Sequence, residues 1–254
     1  MIEVPYRLDG QVALITGASK GLGRHFACTL ANAGATVAAC GRSHVLLQEL
    51  KDEISKSGGD ATAFALDVRS SENVTEVVKS VTEILGPIDI LVNNAGIAVV
   101  KPAFEVSELD WDAVIDTNLK GVWLVASTVA KAMVENGKGG KIINISSIAS
   151  TTVLGRASSY GASKAGVSQL TRALAVEWAR HGIQVNAIAP GYILTEMNQG
   201  FFASSSGNKV VERIPQRRVG RPEDLDGALM LLVSDASGFM TGSTILVDGG
   251  HDAS

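Results

Sequence analysis

Short, uninterrupted apolar runs alternate along the chain with longer segments in which apolar residues recur every three or four positions. Uninterrupted apolar runs are typical of strands that are buried on both faces of a sheet, and the longer period is that of a helix packed on one side. The predicted strands cover residues 11–16, 35–40, 61–66, 88–92, 141–145, 184–189 and 243–247.

Predicted helices lie between these strands. This alternation predicts an α/β protein, a doubly wound Rossmann-type parallel sheet with helices on both faces. We find no linker and no internal repeat, so we expect a single domain over residues 1–254. The predicted helices are one that ends at Gly34 and those at residues 71–85, 109–133, 161–180 and 222–233, whereas the polar, serine-rich stretch 200–208 is predicted to be a loop.

Composition narrows the classes of protein. The chain has 254 residues, of which 46% are hydrophobic, and this is enough for one large domain with a full core. Its net charge is −4 without a basic block, so neither nucleic acid nor an anionic membrane is an expected partner. The sequence has no apolar stretch of about 18 residues and no signal-like start. Cys28 and Cys40 fit neither metal nor disulfide spacing, so we expect inert thiols, no metal site and a cytoplasmic location.

A glycine-rich turn joins the first predicted strand to the helix that follows it. In that context glycines let the backbone approach a pyrophosphate, and the free N–H groups at the helix start receive the anion. The spacing is Gly-x-x-x-Gly-x-Gly rather than Gly-x-Gly-x-x-Gly, and a simple turn is the alternative interpretation. The candidate dinucleotide contacts are Gly17, Ser19, Lys20, Gly21, Leu22 and Gly23.

The end of the second predicted strand indicates which dinucleotide would bind. Folds of this kind read the adenosine ribose there, where an acidic residue holds the 2′-hydroxyl group and an arginine accommodates a 2′-phosphate. This strand ends in Gly41, Arg42 and Ser43 without an acid. Arg42 can bind a phosphate in a bidentate fork with Lys20 as a second cation, although both residues also suit an exposed surface. We therefore expect NADP(H) to be preferred, with NAD(H) as the alternative.

Tyr160 and Lys164 lie four residues apart in a predicted helix and therefore face the same side. The pKa of a free tyrosine is about 10, and an adjacent ammonium group favours the phenolate. Lowering that pKa to roughly 7 to 8 takes about 3 to 4 kcal/mol, which a desolvated lysine and a second cation can supply. The pair is a candidate general acid and base, although the spacing alone more often reflects surface packing.

Polar residues follow several predicted strands, at the edge where parallel sheets bind ligands. Together with the glycine turn and the helix, these residues resemble the short-chain dehydrogenase/reductase family in its single-domain form. The resemblance covers residues 8–250. It is carried, in chain order, by the glycine turn after Thr16, by Asp67-Val68, Asn93-Asn94-Ala95-Gly96, Asn118 and Ser147, by Tyr160 with Lys164, and by Pro190-Gly191.

The resemblance implies an NAD(P)-dependent oxidoreductase that acts on C=O and CH–OH groups. Tyr160 would donate a proton when a carbonyl group is reduced and accept one when an alcohol is oxidised. Lys164 would bind the nicotinamide ribose and lower the pKa of Tyr160. Ser147 would hold the substrate oxygen, and Asn118 would hold a water molecule that links Lys164 to solvent.

Cofactor contacts are implied by the same resemblance. Tyr160 and Lys164 would touch the cofactor as well as the substrate. Asp67 and Val68 would lie against adenine. The remaining implied contacts are Asn94, Ala95 and Gly96 near adenosine and its ribose, and Pro190, Gly191, Ile193 and Thr195 on the nicotinamide and phosphate side.

The substrate is less well defined by the sequence. The family's specificity loop corresponds to residues 192–219. A mostly apolar pocket without a fixed charge would favour a ketone or an acyl chain over a sugar acid. The candidate pocket residues are Tyr192, Met197, Phe201 and Phe202 on one side and Val99, Ile148, Thr151 and Val153 on the other.

Within the family, the chain resembles 3-oxoacyl-thioester reductases and gluconate- or glucose-type dehydrogenases. Reductases of acyl-carrier protein usually have basic side chains near the pocket, and the nearest candidates are Lys138, Arg180 and His181, the last standing where arginine is more typical. The first hypothesis is an NADPH-dependent reductase of a small-molecule ketone or a 3-oxoacyl thioester. A sugar or sugar-acid dehydrogenase and a non-catalytic NADP-binding regulator are the alternatives. The resemblance also implies a homotetramer formed through the helices at residues 109–133 and 159–180.

Overall fold

The computed structural model describes residues 6–196 and 198–254. Within them, seven parallel strands form one sheet in the order β3-β2-β1-β4-β5-β6-β7. The doubly wound parallel sheet is confirmed, and each strand end lies within one residue of its predicted position. The strands are β1 (Val12–Thr16), β2 (Thr36–Gly41), β3 (Asp60–Ala65), β4 (Ile88–Asn93), β5 (Gly140–Ile145), β6 (Ile183–Pro190) and β7 (Thr244–Val247).

Helices connect the strands in the same part of the chain. They are α1 (Gly21–Asn32), α2 (His44–Lys56), α3 (Ser71–Leu85), α4 (Glu108–Ile115), α5 (Gly121–Asn136), α6 (Ser158–Trp178), α7 (Gln199–Phe202), α8 (Ser205–Val211) and α9 (Asp226–Val233).

Both faces of the sheet are covered, which explains the uninterrupted apolar runs. Successive strand residues point to opposite faces. Ile15 of β1 joins the core formed with α1, α2 and α9, whereas its neighbour Leu14 joins the core formed with α3, α5 and α6. Every residue of β1 is buried, so the sequence of this strand does not alternate between apolar and polar residues.

Three helical segments differ from the predictions. The helix predicted at residues 109–133 is two helices, α4 and α5, joined by a π-helical turn at Asp116–Lys120. The loop predicted at 200–208 contains most of α7 and α8, because the Ser204 hydroxyl caps α8 by accepting the N–H of Gly207. Helix α2 was not predicted, although Leu47, Leu50 and Ile54 recur at helical spacing and are buried.

The order of the strands reverses beside β1, which pairs with β2 on one side and β4 on the other. The loops that leave the carboxyl ends of β1 and β4 therefore run apart and leave a crevice, the usual ligand site of such sheets. Gly17 and Asn94 follow these two strands and lie at this crevice.

Two kinds of feature are not found in the described ranges, 6–196 and 198–254. No helix there is long and apolar enough to cross a bilayer. No group of three or more His, Cys, Asp and Glu side chains in the same ranges could hold a metal ion.

Candidate active site

The turn between β1 and α1 forms a backbone cradle. Gly17 has a φ of +67°, a left-handed conformation that residues with a side chain rarely adopt. A Cβ on Gly23 would lie 2.3 Å from the carbonyl oxygen of Gly17, so only glycine lets the turn pack this closely on the helix. Lys20 is the N-cap residue of α1, and an ammonium group cannot accept hydrogen bonds from the helix. The first N–H groups of α1 are therefore available to an anion and fit the pyrophosphate of a dinucleotide.

Asn94 and Thr16 fasten this cradle to the neighbouring strand. The hydroxyl oxygen of Thr16 accepts hydrogen bonds from the backbone N–H groups of Asn94 and Ala95, both at 3.0 Å. The side-chain amide of Asn94 donates to the carbonyl oxygens of Thr16 at 3.0 Å and Gly17 at 3.3 Å. The side-chain amide of Asn94 therefore donates to the cradle itself. Asn94 supports the candidate dinucleotide site and does not extend into it to contact a ligand.

The carboxyl ends of β2 and β3 form the far end of the crevice. Arg42 and Lys20 are exposed there. Hydrogen bonds from Arg69 are the main cause that lowers the pKa of Asp67 to about 2, and the nearby charge of Arg42 contributes. Nη2 of Arg69 lies 2.6 Å from Oδ2 of Asp67. Arg69 forms the ion pair with the carboxylate of Asp67. Among the described residues, Arg42 is in no ion pair, so its guanidinium group can bind another anion.

Two more expected cofactor contacts lie next to this end. Ser43 is the N-cap residue of α2 and is half-buried. Val68 is buried, and a Cβ on Gly121 would lie 2.7 Å from its Cγ2 atom. Val68 therefore packs tightly on the first residue of α5 and ties the end of β3 to that helix.

Tyr160 and Lys164 occupy the first two turns of α6. Nζ of Lys164 lies 5.7 Å from the centroid of the Tyr160 ring. The same ammonium group donates a hydrogen bond of 2.7 Å to the carbonyl oxygen of Ile145, the last residue of β5. Lys164 is only 4% exposed, and burial lowers its pKa to about 8. The strand end and the helix together hold this ammonium group beside Tyr160.

Ser147 lies beside Tyr160 on the other side. Burial raises the pKa of Tyr160, and a hydrogen bond with Ser147 opposes that rise. Burial is the larger of these two effects, and the ammonium group of Lys164 is bonded to Ile145. The lowering of the pKa of Tyr160 by Lys164 stays a prediction for the cofactor complex. The protein groups alone therefore keep Tyr160 as a phenol, the form that can donate a proton.

Ser146 has a different environment from its neighbour. Its hydroxyl group donates to the backbone carbonyl oxygen of Lys164 at 3.1 Å and lies 2.8 Å from the hydroxyl of Ser168. Ser146 is therefore used to pack the end of β5 against α6, whereas Ser147 is the serine at Tyr160.

Asn118 lies on the π-helical turn between α4 and α5, a distortion that is frequent at functional sites. Its Oδ1 accepts the N–H of Ile97 at 2.8 Å, and its Nδ2 donates to the carbonyl of Ile97 at 2.8 Å and the hydroxyl of Ser163 at 3.1 Å. Ser163 donates in turn to the carbonyl oxygen of Tyr160 at 2.7 Å. Both ends of the Asn118 side chain are engaged, so it links the loop after β4 to the start of α6.

Gly96 lets that loop pass next to both Asn118 and Lys164. A Cβ at this position would lie 3.3 Å from Oδ1 of Asn118 and 3.7 Å from Nζ of Lys164. The backbone of Gly96 is exposed, so this part of the loop forms open surface of the crevice directly above the lysine.

The segment after β6 faces the cradle from the opposite side. Pro190 ends β6, and a Cβ on Gly191 would lie 2.7 Å from the backbone that follows β7. Ile193 is buried. The methyl group of Thr195 lies 4.0 Å from the position of a Cβ on Gly21, so Thr195 stands at the anion-binding end of α1.

Aromatic side chains cluster on the segment that follows β6. Tyr192 packs edge-on against Phe202 with 5.7 Å between ring centroids, and Phe202 packs against Phe201 at 5.1 Å. Met197, expected on this side, lies outside the described residues. The other expected wall residues differ in exposure: Ile148 is buried, Val99 is half-buried, and Thr151 and Val153 are exposed.

The C-terminal turn, residues 249–253, also reaches this crevice and was not predicted. Oδ1 of Asp252 accepts hydrogen bonds of 2.5 Å from the hydroxyl groups of both Thr151 and Thr152. The ring of His251 packs against Tyr192 with 5.5 Å between centroids. The bonded residues are about 100 positions apart in the chain, and no local pattern marks such a contact.

The basic residues considered for carrier-protein binding lie at the wrong edge of the sheet. Lys138 precedes β5, and Arg180 and His181 precede β6. The first residues of these parallel strands, Gly140 and Ile183, are paired, so all three side chains belong to the amino edge. The crevice lies at the carboxyl edge, so these three candidates do not lie beside it.

Comparisons with known proteins agree with this geometry. A family model described as enoyl-(acyl carrier protein) reductase matches residues 17–252. A 2-dehydro-3-deoxy-D-gluconate 5-dehydrogenase of Dickeya dadantii is 42% identical over 98% of each chain. A 3-oxoacyl-[acyl-carrier-protein] reductase of Thermotoga maritima is 39% identical over 96% of this chain and 98% of its own. The structure of a gluconate 5-dehydrogenase from Burkholderia cenocepacia in complex with NADP and tartrate superposes with a TM-score of 0.94 at 38% identity, over 98% of both chains.

The chain belongs to the short-chain dehydrogenase/reductase family. It is an oxidoreductase that acts on alcohol and ketone groups with a nicotinamide cofactor. The family, the enzyme class and the cofactor class expected from the sequence are thereby confirmed.

The buried charge of Lys164 predicts a measurable dependence of stability on pH. Because folding lowers its pKa from 10.5 to about 8, the unfolded chain binds more protons between these values, and stability rises with pH there. Lys164→Met removes this contribution. We expect the free energy of unfolding of the variant, relative to wild type, to fall by up to about 3 kcal/mol between pH 7 and pH 10.5 in urea titrations.

The matched control is Lys79→Met, which removes a lysine that is 74% exposed on α3. The difference between this control and wild type should be the same at both pH values. A Lys164→Met difference that is equally independent of pH would show that the lysine is not held in a desolvated site.

Proposed function

We propose that this protein interconverts a ketone and a secondary alcohol with NADP(H), on a hydroxylated acid of the gluconate type. The observation that carries the proposed reaction is the position of Tyr160, which has Ser147 on one side and the buried ammonium group of Lys164 on the other. The loop after β4 connects these groups to the cradle, because a Cβ on Gly96 would lie 3.7 Å from Nζ of Lys164 and a Cβ on Gly17 would lie 2.9 Å from Cα of Ala95.

Tyr160 acts in this proposal as the proton donor to the carbonyl oxygen during reduction and as the acceptor during alcohol oxidation. Ser147 donates a hydrogen bond to the same oxygen and stabilises the charge that develops there. The nicotinamide cofactor, when bound, supplies or takes up the hydride, and its oxidised form carries a positive charge. That charge and Lys164 favour the phenolate in the oxidised complex, against the effect of burial.

Lys164 and Asn118 support the reacting groups. The bond from Lys164 to Ile145 leaves the other ammonium hydrogens free for the hydroxyl groups of a nicotinamide ribose. Asn118 keeps the loop after β4 and the first turn of α6 in register through Ile97 and Ser163. We propose that proton relay to solvent runs past this link, as the sequence resemblance implies.

Support for a hydroxylated acid comes from the relatives and from polar groups in the crevice. Proteins named 2-dehydro-3-deoxy-D-gluconate and gluconate 5-dehydrogenases are 42% and 39% identical to this chain. The pocket is less apolar than the sequence suggests, because the charge of Arg213 acts on Tyr192 and Asp252 lies against Thr151. A cation such as Arg213 suits a substrate carboxylate.

A 3-oxoacyl thioester is the second candidate. It is supported by the carrier-protein reductase of Thermotoga maritima, 39% identical, and by the packed rings of Tyr192, Phe201 and Phe202. Against it, Lys138 and Arg180 lie at the opposite edge of the sheet and cannot guide an acidic carrier to the crevice. A non-catalytic NADP-binding regulator is disfavoured because the Tyr160 and Lys164 pair is intact.

The preference for NADP(H) is supported by the charges at the end of β2. Arg42 and Lys20 are exposed beside the crevice, and Arg69 neutralises Asp67, the nearby acid. We propose that a 2′-phosphate binds between Arg42 and Lys20. The solved gluconate 5-dehydrogenase of Burkholderia cenocepacia, which is similar to this chain, is in complex with NADP.

A cytoplasmic location is supported by the cysteines. Cys28 and Cys40 are both free thiols. Burial raises the pKa of both, that of Cys28 to about 11 with a contribution from the nearby Glu53, so neither forms a reactive thiolate at neutral pH.

Replacing Tyr160 tests the reaction. We expect Tyr160→Phe to lower kcat on the best substrate by about 10²- to 10⁴-fold, the usual contribution of general acid–base catalysis. The substrate comes from a panel of sugar acids, neutral polyols and 3-oxoacyl thioesters assayed with NADPH and NADH. Affinity for NADPH, followed by fluorescence, should change less than about twofold, since the aromatic ring is kept and only the hydroxyl group is lost.

Tyr6→Phe is the matched control, because Tyr6 is 52% exposed. It should behave as wild type. Turnover by Tyr160→Phe at the wild-type rate would refute the reaction, and cofactor binding without turnover of any panel member would favour the regulator. Exclusive turnover of 3-oxoacyl thioesters would select the second candidate.

Replacing Arg42 tests the cofactor preference. Loss of a charge-assisted bidentate contact should raise the KM for NADPH by about 10- to 100-fold in Arg42→Ala while leaving the KM for NADH nearly unchanged. Arg7→Ala is the control, since Arg7 is exposed and pairs with Asp9. If wild type prefers NADH and Arg42→Ala leaves the KM for NADPH unaltered, the proposed phosphate site is wrong.

A homotetramer is proposed as the assembly. Its support is the apolar surface of the long helices, where Trp123 of α5 is 48% exposed and Val176 of α6 is 82% exposed. Sedimentation of wild type should give four chains, and Val176→Glu should give smaller species, because an interface core excludes charge. Val45→Glu on α2, also exposed, is the control. A wild-type monomer at micromolar concentration would contradict the proposal.

A further inference from the structure

We propose that the C-terminal turn is a clasp that sets the spacing of the two substrate walls, with Asp252 as its positioning residue. The inference rests on the proposed function in one respect only, that Thr151, Thr152 and Tyr192 border the substrate. Within residues 6–196 and 198–254, the side-chain hydrogen bonds and ring contacts of the clasp reach neither the cradle nor the Tyr160 and Lys164 pair.

The first wall is the loop that continues from Ser147. Its backbone turns tightly, with the N–H groups of Thr151 and Thr152 donating to the carbonyl oxygen of Ile148 at 3.0 and 2.7 Å. Oδ1 of Asp252 then accepts both threonine hydroxyl groups. Two hydroxyl donors on one ionised oxygen form charge-assisted hydrogen bonds, which are stronger than neutral ones. A single carboxylate therefore fixes the side chains of this wall.

The clasp has its own internal support. Oδ1 of Asp248 accepts the N–H of Gly250 at 2.8 Å, and its Oδ2 accepts the N–H of Asp252 at 2.7 Å. Gly249 and Gly250 have left-handed φ angles of +66° and +87°. These bonds hold Asp252 in place before it meets the threonines, so the clasp presents its carboxylate in a set position.

The second wall comprises Tyr192 and Gln216, which contact the clasp through ring packing and through a backbone hydrogen bond. His251 packs on Tyr192, and its buried Nδ1 has no hydrogen-bond partner within residues 6–196 and 198–254. The ring is thus held by packing and by the turn that carries it. The carbonyl oxygen of Gly249 accepts the N–H of Gln216 at 3.2 Å, at the end of the predicted specificity loop. The clasp consequently contacts both ends of that loop as well as the first wall.

In this arrangement, the residues that set the substrate KM differ from those that set kcat. Releasing Asp252 frees the walls near Thr151 and Tyr192 but leaves the hydrogen bonds of Lys164 and Asn118 intact. A wall that is no longer set should weaken substrate binding in the ground state and the transition state alike, which raises KM and leaves kcat almost unchanged.

The kinetic test compares Asp252→Ala, Asp252→Asn and wild type on the best substrate of the panel. We expect Asp252→Ala to raise the substrate KM about tenfold, with kcat and the KM for NADPH within about twofold. Asp252→Asn keeps an oxygen acceptor and should give a smaller increase. The matched control is Asp52→Ala, an exposed aspartate of α2 bonded only to Gln48 among the described residues.

A double-substitution experiment identifies the partners. Thr151→Val with Thr152→Val should raise the substrate KM as Asp252→Ala does, and combining all three changes should add little, because the same contacts are lost. An unchanged substrate KM in Asp252→Ala, or an equal rise in the KM for NADPH, would overturn the clasp.

Hydrogen exchange gives a readout that needs no turnover. In Asp252→Ala, backbone amides of residues 148–157 should exchange several-fold faster than in wild type, while those of β1 stay the same. Unchanged exchange at residues 148–157 would also overturn the clasp. Faster exchange in a protein that oxidises no sugar acid would support the clasp and reject only the proposed substrate. If Asp252→Ala does not fold, Asp252→Asn provides the same comparison.

Discussion

The hydrogen bond from the ammonium group of Lys164 to the carbonyl oxygen of Ile145 is the contact on which the site depends. Burying a lysine costs free energy unless its charge is hydrogen-bonded. Here the carbonyl oxygen at the end of β5 accepts a hydrogen bond of 2.7 Å from the ammonium group on α6. Only a sheet that packs α6 across the end of β5 can bring the two atoms together. The same packing places Tyr160 one helical turn away, so the architecture and the acid–base pair have one cause.

Two asparagine side chains also hold backbone in place by hydrogen bonds, here in the loops. Asn94 bonds to the cradle and Asn118 bonds to Ile97 and Ser163, so both hold backbone at the carboxyl edge of the sheet. The polar residues of the crevice are therefore mostly supports, and few are left to react. In the proposed reaction, Tyr160 and Ser147 are the exceptions. The clasp formed by the C-terminal turn adds a layer outside this set and acts on substrate fit.

A feature can be predicted from the sequence when the residues that determine it lie close together along the chain. Strand ends were predicted within one residue because burial on both faces leaves a plain apolar run, as in β1. Tyr160 and Lys164 lie one helical turn apart, which the sequence shows directly, but their expected roles came from the family resemblance of the whole chain. The bonds from Asp252 to Thr151 span 101 positions, and only the folded chain brings them together. Lys138 precedes β5 in the chain, so it lies at the amino edge of the parallel sheet, away from the crevice, although its charge alone suits an acidic partner.

Without cofactor, burial keeps Tyr160 a phenol. We propose that an oxidised nicotinamide, together with Lys164, makes it a phenolate. Ultraviolet difference titration at the phenolate band, wild type minus Tyr160→Phe, tests this directly. Burial raises the pKa of Tyr160 in the cofactor-free protein, so with saturating NADP⁺ the signal should appear at a clearly lower pH than without cofactor. A Tyr160 signal at the same pH with and without NADP⁺ would contradict the account.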